Sequence, residues 1–269
     1  MESRKRPYGK NRQETYEKPV RPMEEADENR LEGRNAVQEA LTSGRRIDKV
    51  FVADGSTDKS LGRLAAMAKD QGAVVVRVDR RKLDMMSQTH AHQGIIAQAA
   101  AHEYATIDDI LENAESKGEN PLIVLCDELS DPHNLGAILR SAECAGAHGV
   151  IIPKRRSVGL TATVAKASAG AIEYMPVARV NNMAAAMEEL KSRGVWIYGT
   201  AAGGASSLYD TDLTGPMAIV IGNEGEGMSR LVADKCDFKV SIPMKGHIES
   251  LNASAAAAIL LYEALRQRR

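Results

Sequence analysis

Residues 121–145 read PLIVLCDELSDPHNLGAILRSAECA and predict one strand followed by one helix. The opening run, Pro121–Cys126, is continuously apolar, which is typical of a parallel strand buried on both faces. Leu135, Ile138 and Leu139 then recur at the spacing of one helix face, so they are expected to point toward a sheet. A strand that leads directly into a helix is the repeating unit of a doubly wound α/β domain.

The same alternation continues toward the C-terminus. Further strands are predicted at Val150–Ile152, Tyr174–Val177, Val195–Tyr198, Ala218–Ile221 and Phe238–Ile242. Helices are predicted over Leu135–Ala145, Asn181–Arg193 and Leu251–Arg266. Residues 121–269 therefore predict an α/β domain with a parallel sheet, in which ligands bind beyond the carboxyl ends of the strands.

A smaller α/β module is predicted over residues 30–105. Its strand candidates are Lys49–Ala53, Val74–Val78 and Gly94–Ala100, and its helix candidates are Arg34–Thr42, Lys59–Asp70 and Arg80–Ser87. This alternation predicts three layers. Residues 1–29 are polar, basic and aperiodic and predict a disordered tail. Residues 106–120 are expected to link the two domains, with a helix over Thr106–Lys117.

The composition predicts a cytoplasmic protein with a substantial core. Of the 269 residues, 43% are hydrophobic, and the net charge is −1. No apolar run approaches the roughly 20 residues that span a membrane. The three cysteines form no C-x-x-C pair, so neither a disulfide framework nor a metal site is expected. Local basic clusters at residues 1–12, 154–156 and 266–269 are either solvated surface or contacts for a phosphate backbone.

Three segments at predicted strand ends carry the chemistry. The first begins at Asp131-Pro-His-Asn134, where Asn134 is the expected N-cap of the following helix. Arg140 and Glu143 lie three residues apart and share a helix face away from the sheet. Arg140 is therefore either a surface residue paired with Glu143 or a functional residue.

The second segment is the glycine turn, Gly222-Asn-Glu224-Gly225-Glu226-Gly227. Three glycines directly after a buried strand indicate that another group comes close to the backbone. The turn matches neither a Walker loop nor the dinucleotide fingerprint. Glu224 and Glu226 would repel a phosphate and favour a cationic or hydroxyl-bearing ligand.

The third segment, residues 241–254, reads SIPMKGHIESLNAS and precedes an alanine-rich helix. Because Ala253–Leu261 is apolar on nearly every face, this helix is expected to be covered by the sheet and by either a knot or a partner subunit. Ser250 and Asn252 are placed to cap the helix or to face a ligand, and capping explains only one of them.

Together the three segments resemble the signature motifs of the SpoU (TrmH-type) branch of the SPOUT RNA methyltransferases. The matching stretches are NLGAILR (134–140), IVIGNEGEGM (219–228) and IPMKGHIESLNAS (242–254). The upstream module, with HQGIIA at 92–97, is similar to the substrate-binding domain of ribosomal-RNA guanosine 2'-O-methyltransferases. The resemblance implies a C-terminal trefoil knot, a homodimer with active sites at the subunit interface, and S-adenosylmethionine as cofactor.

The resemblance also implies roles for individual residues. Arg140 matches the catalytic residue, near the acceptor phosphate and the 2'-oxygen. Arginine keeps its proton at neutral pH, which favours charge stabilisation there, and a role as base stays open. Further functional positions of the motifs are matched by Asn134, Glu224, Ser250 and Asn252. The cofactor is expected against Thr200, Gly222, Gly225, Ile242, Met244 and Leu251.

The expected function is 2'-O-methylation of a ribose, with a guanosine in the peptidyl-transferase region of 23S ribosomal RNA as the target. Alternatives within the family are a tRNA methyltransferase and a ribosomal-RNA methyltransferase that confers antibiotic resistance. A ribosome-assembly factor without activity would have lost Arg140 or the glycine turn, and both are present. A nucleotide-dependent dehydrogenase is disfavoured because the fingerprint is missing. Neither a membrane nor a metal is an expected partner.

Overall fold

The computed structural model describes residues 29–55, 58–100, 102–201, 206–223 and 225–269. The predicted disordered tail, except for its last residue, lies outside the described residues, and so does Glu224. Within the described ranges, no helix combines the length and apolarity needed to cross a membrane.

The N-terminal domain is a four-stranded mixed sheet with helices on both faces. Its elements are β1 Arg30–Glu32, α1 Arg34–Thr42, β2 Ile47–Ala53, α2 Lys59–Asp70, β3 Val74–Val78, α3 Arg80–Met86 and β4 Ile95–Ala99. The strand order is β1-β4-β2-β3, and β4 runs antiparallel to both neighbours. Helices α1 and α2 cover one face, and Leu83 of α3 packs on the other. The predicted three-layer module is therefore present, with β1 as an edge strand that the prediction lacked.

Glu32, at the end of β1, holds the loop that follows α3. Its carboxylate accepts hydrogen bonds from the Ser87 hydroxyl at 2.6 Å and from the Gln88 and Thr89 amides at 2.7 and 3.1 Å. Partial burial raises the pKa of Glu32, but these hydrogen bonds outweigh it and lower the pKa to about 2. The loop therefore depends on an ionised Glu32.

This clamp predicts a pH-dependent loss of stability. Because the pKa is lower in the folded state, the contribution of Glu32 is complete above its ordinary value of 4.5 and is lost as the pH falls toward 2. Glu32→Gln should lower the free energy of unfolding at pH 7 by about 1–3 kcal/mol. Denaturant unfolding at several pH values would measure both effects. The exposed Glu39 gives a control, Glu39→Gln, and equal behaviour of the two variants would contradict the prediction.

A buried polar cluster joins the two domains. Asp48 of β2 pairs with Arg179 of the C-terminal domain, and both side chains are about 5% exposed or less. The Tyr104 hydroxyl donates to Asp48 at 2.6 Å and accepts from the Leu160 amide at 2.9 Å. A Cβ at Gly159 would stand 2.2 Å from the Asp48 carboxylate, so only glycine permits this approach. The domains thus share a desolvated contact that fixes one against the other.

The C-terminal domain is built on a seven-stranded parallel sheet. The connecting helix α4, Ile107–Ser116, leads into β5 Leu122–Cys126, α5 Pro132–Cys144, β6 Gly149–Pro153, α6 Ala162–Ala167, β7 Val177–Val180, α7 Met183–Ser192, β8 Trp196–Thr200, β9 Ser206–Ser207, β10 Met217–Ile221, α8 Arg230–Lys235, β11 Phe238–Ser241 and α9 Ala253–Gln267. The strand order is β7-β6-β5-β10-β8-β11-β9. Helices α5 and α9 pack on one face, and α4 and α7 pack on the other. The predicted parallel α/β architecture is confirmed.

Two predicted elements start three residues away from the predicted position, and proline explains both. The strand expected at Tyr174–Val177 begins only at Val177, since Pro176 has no N–H to pair and residues 171–173 form a 3-10 turn. Asn134 is not an N-cap, because α5 begins earlier at Pro132. Proline is favoured in the first turn, where no N–H partner is needed, and Asp131 supplies the cap.

Candidate active site

A cavity of about 570 Å³ lies at the carboxyl ends of β8, β10 and β11. This is the size of a small-molecule site and the edge where parallel sheets bind ligands. Five of the six residues predicted to contact the cofactor line it: Thr200, Gly222, Ile242, Met244 and Leu251. Gly225 is exposed and stands outside the lining of this cavity.

The glycine turn folds back on itself beside the cavity. The amides and carbonyls of Asn223 and Gly227 exchange two hydrogen bonds of 2.9 Å. This places the returning chain against Gly222, where an added Cβ would stand 2.3 Å from both Gly227 and Met228 backbone atoms. Glycine at 222 is therefore required by the close approach of two backbone segments, as the sequence predicted.

Gly222→Ala should disrupt this turn and the cavity wall. Overpacking of this kind typically costs about 1–3 kcal/mol. If the whole of this energy destabilises the complex with the cofactor, the cofactor binds roughly 5–150-fold more weakly. Calorimetry with S-adenosylmethionine measures the loss. Gly215→Ala is the matched control, since a Cβ there would meet no atom within 4 Å and the residue lies outside the lining of the cavity. Similar affinities for the two variants would argue against a tight turn at Gly222.

Asn252 connects the third segment to the first. Its side-chain oxygen caps α9 by accepting from the Ser254 and Ala255 amides at 3.0 and 3.3 Å. Its amide nitrogen donates to the Asn134 side chain at 2.9 Å, although 118 residues separate the two. Ser250 does not cap the helix and instead lines the cavity. The structure thus joins the Asn134 turn of α5 to the loop that borders the cavity.

Arg140 lies on α5 with an exposed side chain, and the buried Leu135, Ile138 and Leu139 face the sheet as predicted. Within the part of the chain that the structure describes, Arg140 forms no ion pair, either with Glu143 or with another carboxylate. It is also absent from the lining of the cavity in a single chain. A free guanidinium is therefore presented to solvent on a helix that packs against α9.

Three residues at or beside the candidate site escaped the sequence analysis. Asn223 holds the glycine turn, because its side chain accepts from the Gly225 amide and donates to the Glu128 carbonyl. Asp127 is buried at the end of β5 and accepts from the Ser229 amide at 2.7 Å. Glu249 lines the cavity. Only Asp127 carried a signal, as a carboxylate that ends an apolar parallel strand.

The lining suits a cofactor that carries a positive charge and has a large apolar surface, including an adenine ring. Among the described lining residues there is one carboxylate, Glu249, and no lysine or arginine. Backbone groups at Gly222, Ile242 and Leu251 border the same space. A sulfonium with an attached nucleoside fits this combination of charge, apolar surface and backbone hydrogen-bonding groups.

Comparison with known proteins agrees with this geometry. The model of the SpoU rRNA Methylase family matches residues 121–262. A second model, for RNA 2'-O ribose methyltransferase substrate binding, matches residues 30–105. A Bacillus subtilis protein that bears the name of a TrmH family tRNA/rRNA methyltransferase is 51% identical over 88% of this chain and 94% of its own length.

Solved structures give the same result. The SpoU methyltransferase AviRb from Streptomyces viridochromogenes, in complex with AdoMet, superposes with a TM-score of 0.57 at 28% identity, over 89% of this chain and 90% of its own. An AdoMet-bound rRNA methyltransferase from Sinorhizobium meliloti superposes with a TM-score of 0.54 at 25% identity, over 88% and 86%.

The fold and the cavity thus define an S-adenosylmethionine-dependent RNA methyltransferase. The chain belongs to the SpoU rRNA methylase family, also called the TrmH family. The predicted fold class, enzyme class and cofactor are confirmed. The trefoil knot concerns how the chain is threaded, which strand order does not test, and it stays a prediction.

Proposed function

We propose that this enzyme methylates the 2'-hydroxyl of a guanosine ribose in 23S ribosomal RNA, in the cytoplasm. The observation that carries this proposal is the N-terminal domain. It is fixed to the catalytic domain through Asp48 and Arg179, and it matches the substrate-binding model of RNA 2'-O ribose methyltransferases. The rRNA methyltransferase from Sinorhizobium meliloti covers both domains. The A. aeolicus TrmH/SpoU tRNA modifying enzyme, by contrast, matches only 60% of this chain, with a TM-score of 0.52 at 30% identity.

The cofactor brings an electrophilic methyl carbon bonded to a positively charged sulfur. The chain must then bind the ribose in line with that carbon and ease the loss of the hydroxyl proton. Thr200, Gly222 and Leu251 border the cofactor cavity and hold its occupant. Ser250, beside them, is oriented toward the same space and is a candidate contact to the ribose.

Arg140 is the proposed catalytic residue. Its guanidinium binds the phosphate of the acceptor nucleotide and stabilises negative charge on the 2'-oxygen as the proton leaves. Asn134 and Asn252 act as positioning residues, because their amide contact ties the start of α5 to the cofactor loop. Glu224 is proposed as a further functional residue from its place in the motif alone.

A homodimer would bring Arg140 to the cavity of the partner subunit. Apolar side chains remain exposed around the cavity and on α9, with Ile248 at 73%, Tyr262 at 51% and Leu251 at 40%. An apolar surface of this kind marks an interface. A second copy of the chain would cover this apolar surface. It would also place the Arg140 guanidinium of one chain beside the cavity of the other, whose described lining contains no arginine.

The decisive experiment maps ribose methylation in ribosomal RNA and tRNA from cells with and without this protein. We expect one 23S guanosine to lose its methyl group in the deletion strain, and purified protein to restore it in vitro. Loss of a methyl group from tRNA alone would overturn the ribosomal assignment. Unchanged methylation in both RNAs, together with no methyl transfer in vitro, would show that the protein lacks the proposed methyltransferase activity.

A further inference from the structure

A second cavity of about 260 Å³ also lies at the carboxyl ends of the strands of the large sheet. It is bordered by Asp127, Pro153 and Asn181, which end or follow β5, β6 and β7. The cofactor cavity lies instead at the ends of β8, β10 and β11. Since β5 and β10 are neighbours in the sheet, the two cavities lie on opposite sides of the boundary between these strands.

The wall between the two cavities includes Asn223 and Ser229, the second of which follows the glycine turn. Asn223 lines the cofactor cavity, and its side chain donates to the Glu128 carbonyl at 3.0 Å. Ser229 lines the second cavity, and its amide donates to Asp127 at 2.7 Å. A ligand that crosses this wall would therefore reach from one cavity directly into the other.

Two arginines stand at the second cavity. The Arg156 side chain is 78% exposed and pairs with Glu128 at 3.1 Å. Both residues have a left-handed backbone, with φ of 56° and 57°, a strained conformation that often marks a binding site. Arg155 is exposed and has no ion pair among the residues described. Guanidinium groups of this kind favour phosphate, because their donors match its oxygens.

The interior of the second cavity suits a nucleobase. Met183 and Val232 are buried against it, and Leu231 remains 57% exposed. The exposed amide of Asn181 provides a donor and an acceptor at the same place. Unpaired bases in RNA are recognised by hydrogen bonds to their edges and by stacking on side chains, the planar guanidinium of arginine among them.

The N-terminal domain lies on the side of the second cavity. It contacts β7 through Asp48 and Arg179, and it contacts the loop after β6 through Tyr104 and Leu160. In the sheet order, β7 and β6 are on the far side of β5 from the cofactor cavity. An RNA strand that is held by the N-terminal domain and methylated at the cofactor cavity of the same chain would therefore pass over the second cavity.

We propose that the second cavity binds a single-stranded ribonucleotide that flanks the methylated one. Arg155 and Arg156 each hold one of the two phosphates on either side of its ribose, and the base enters the space beside Leu231 and Asn181. The inference rests on the proposed function only in requiring an RNA substrate. It assigns a nucleotide subsite to residues outside the three motif segments.

The test uses the full-length variant Arg155→Ala/Arg156→Ala and a transcript of the peptidyl-transferase region of 23S ribosomal RNA. Fluorescence anisotropy should show an RNA affinity that is lower by on the order of tenfold. The slope of log binding constant against log salt concentration should be shallower by about 1.4, because two single-strand phosphate contacts are lost. Affinity for S-adenosylmethionine should be unchanged, as should kcat at saturating RNA. The single variant Arg155→Ala, which breaks no ion pair, should show about half of the slope change.

Lys117→Ala/Arg193→Ala is the matched control. It also removes two exposed charges, but at the ends of α4 and α7 that precede β5 and β8, on the opposite edge of the sheet. The proposal is overturned if the Arg155/Arg156 variant binds RNA with the affinity and salt slope of this control. It is also overturned if cofactor affinity falls together with RNA affinity, which would indicate a damaged wall. A wild-type enzyme that binds RNA but methylates no transcript would contradict the proposed function and leave the binding comparison valid.

Discussion

Arg140→Ala should abolish most methyl transfer and leave the fold and cofactor binding intact. Removal of one preorganised donor to a developing oxyanion typically lowers the rate about 100–1,000-fold, so we expect a loss of at least about 100-fold in single-turnover rate. The side chain is exposed and has no ion pair among the described residues, so its removal breaks no ion pair there. Transfer of a labelled methyl group to RNA measures the rate, and calorimetry measures cofactor affinity.

The neighbouring Glu143 provides the control for Arg140. It is exposed on the same helix, and Glu143→Gln should retain wild-type turnover. A rate within a few-fold of wild type for Arg140→Ala would show that the catalytic assignment is wrong. A rate loss that Glu143→Gln shares would instead indicate a general effect of this helix face.

Mixing two impaired variants, at a cofactor concentration too low to saturate Gly222→Ala, tests whether Arg140 acts across a dimer. A mixed dimer of Arg140→Ala and Gly222→Ala chains would hold one complete site, formed by the intact cavity of the first and the intact arginine of the second. Random exchange should then restore about a quarter of wild-type activity, since half of the dimers are mixed. No recovery on mixing, despite exchange of subunits, would place Arg140 and its cavity in the same chain.

Asp48→Ala should be the most destabilising single substitution at the contact between the domains. It leaves the Arg179 guanidinium, whose side chain is 5% exposed, without its carboxylate, and it removes the acceptor of the Tyr104 hydroxyl. Breaking one partner of a buried pair costs about 3–5 kcal/mol. Denaturant unfolding followed by circular dichroism measures this change.

Two further variants make the Asp48 result specific. Asp70→Ala, at the exposed end of α2, should be nearly neutral. Asp48→Leu/Arg179→Met replaces both charges with apolar groups and should recover most of the lost stability. If the free energy of unfolding of Asp48→Ala lies within about 1 kcal/mol of the wild-type value, the pair contributes little to stability, and the domains are held together by other contacts.

Much of the site could be predicted because its elements are local. The apolar run before Cys126 predicts a buried strand, and the glycines at 222–227 predict a close backbone approach. The loop at 242–251 was recognised from its motif. These features depend on neighbouring residues alone, and the cavity accordingly contains five of the six predicted cofactor residues. The error at Asn134 arose from the same local reasoning, because Asp131 offered an equally good cap one turn earlier.

The sequence by itself determined most of the strands and helices, the turn at Gly222 and the family of the enzyme, since periodicity and turn chemistry depend on adjacent residues. The short elements β1, α6, β9 and α8 were not predicted. Only the tertiary structure decided which distant side chains meet. The contact of Asn134 with Asn252, the pairing of Asp48 with Arg179 across 131 residues, and the second cavity beside the arginines after β6 all depend on how complete elements pack. Such contacts arise from the order of strands in the sheet and from the docking of one domain on another, and no local pattern in the chain encodes either.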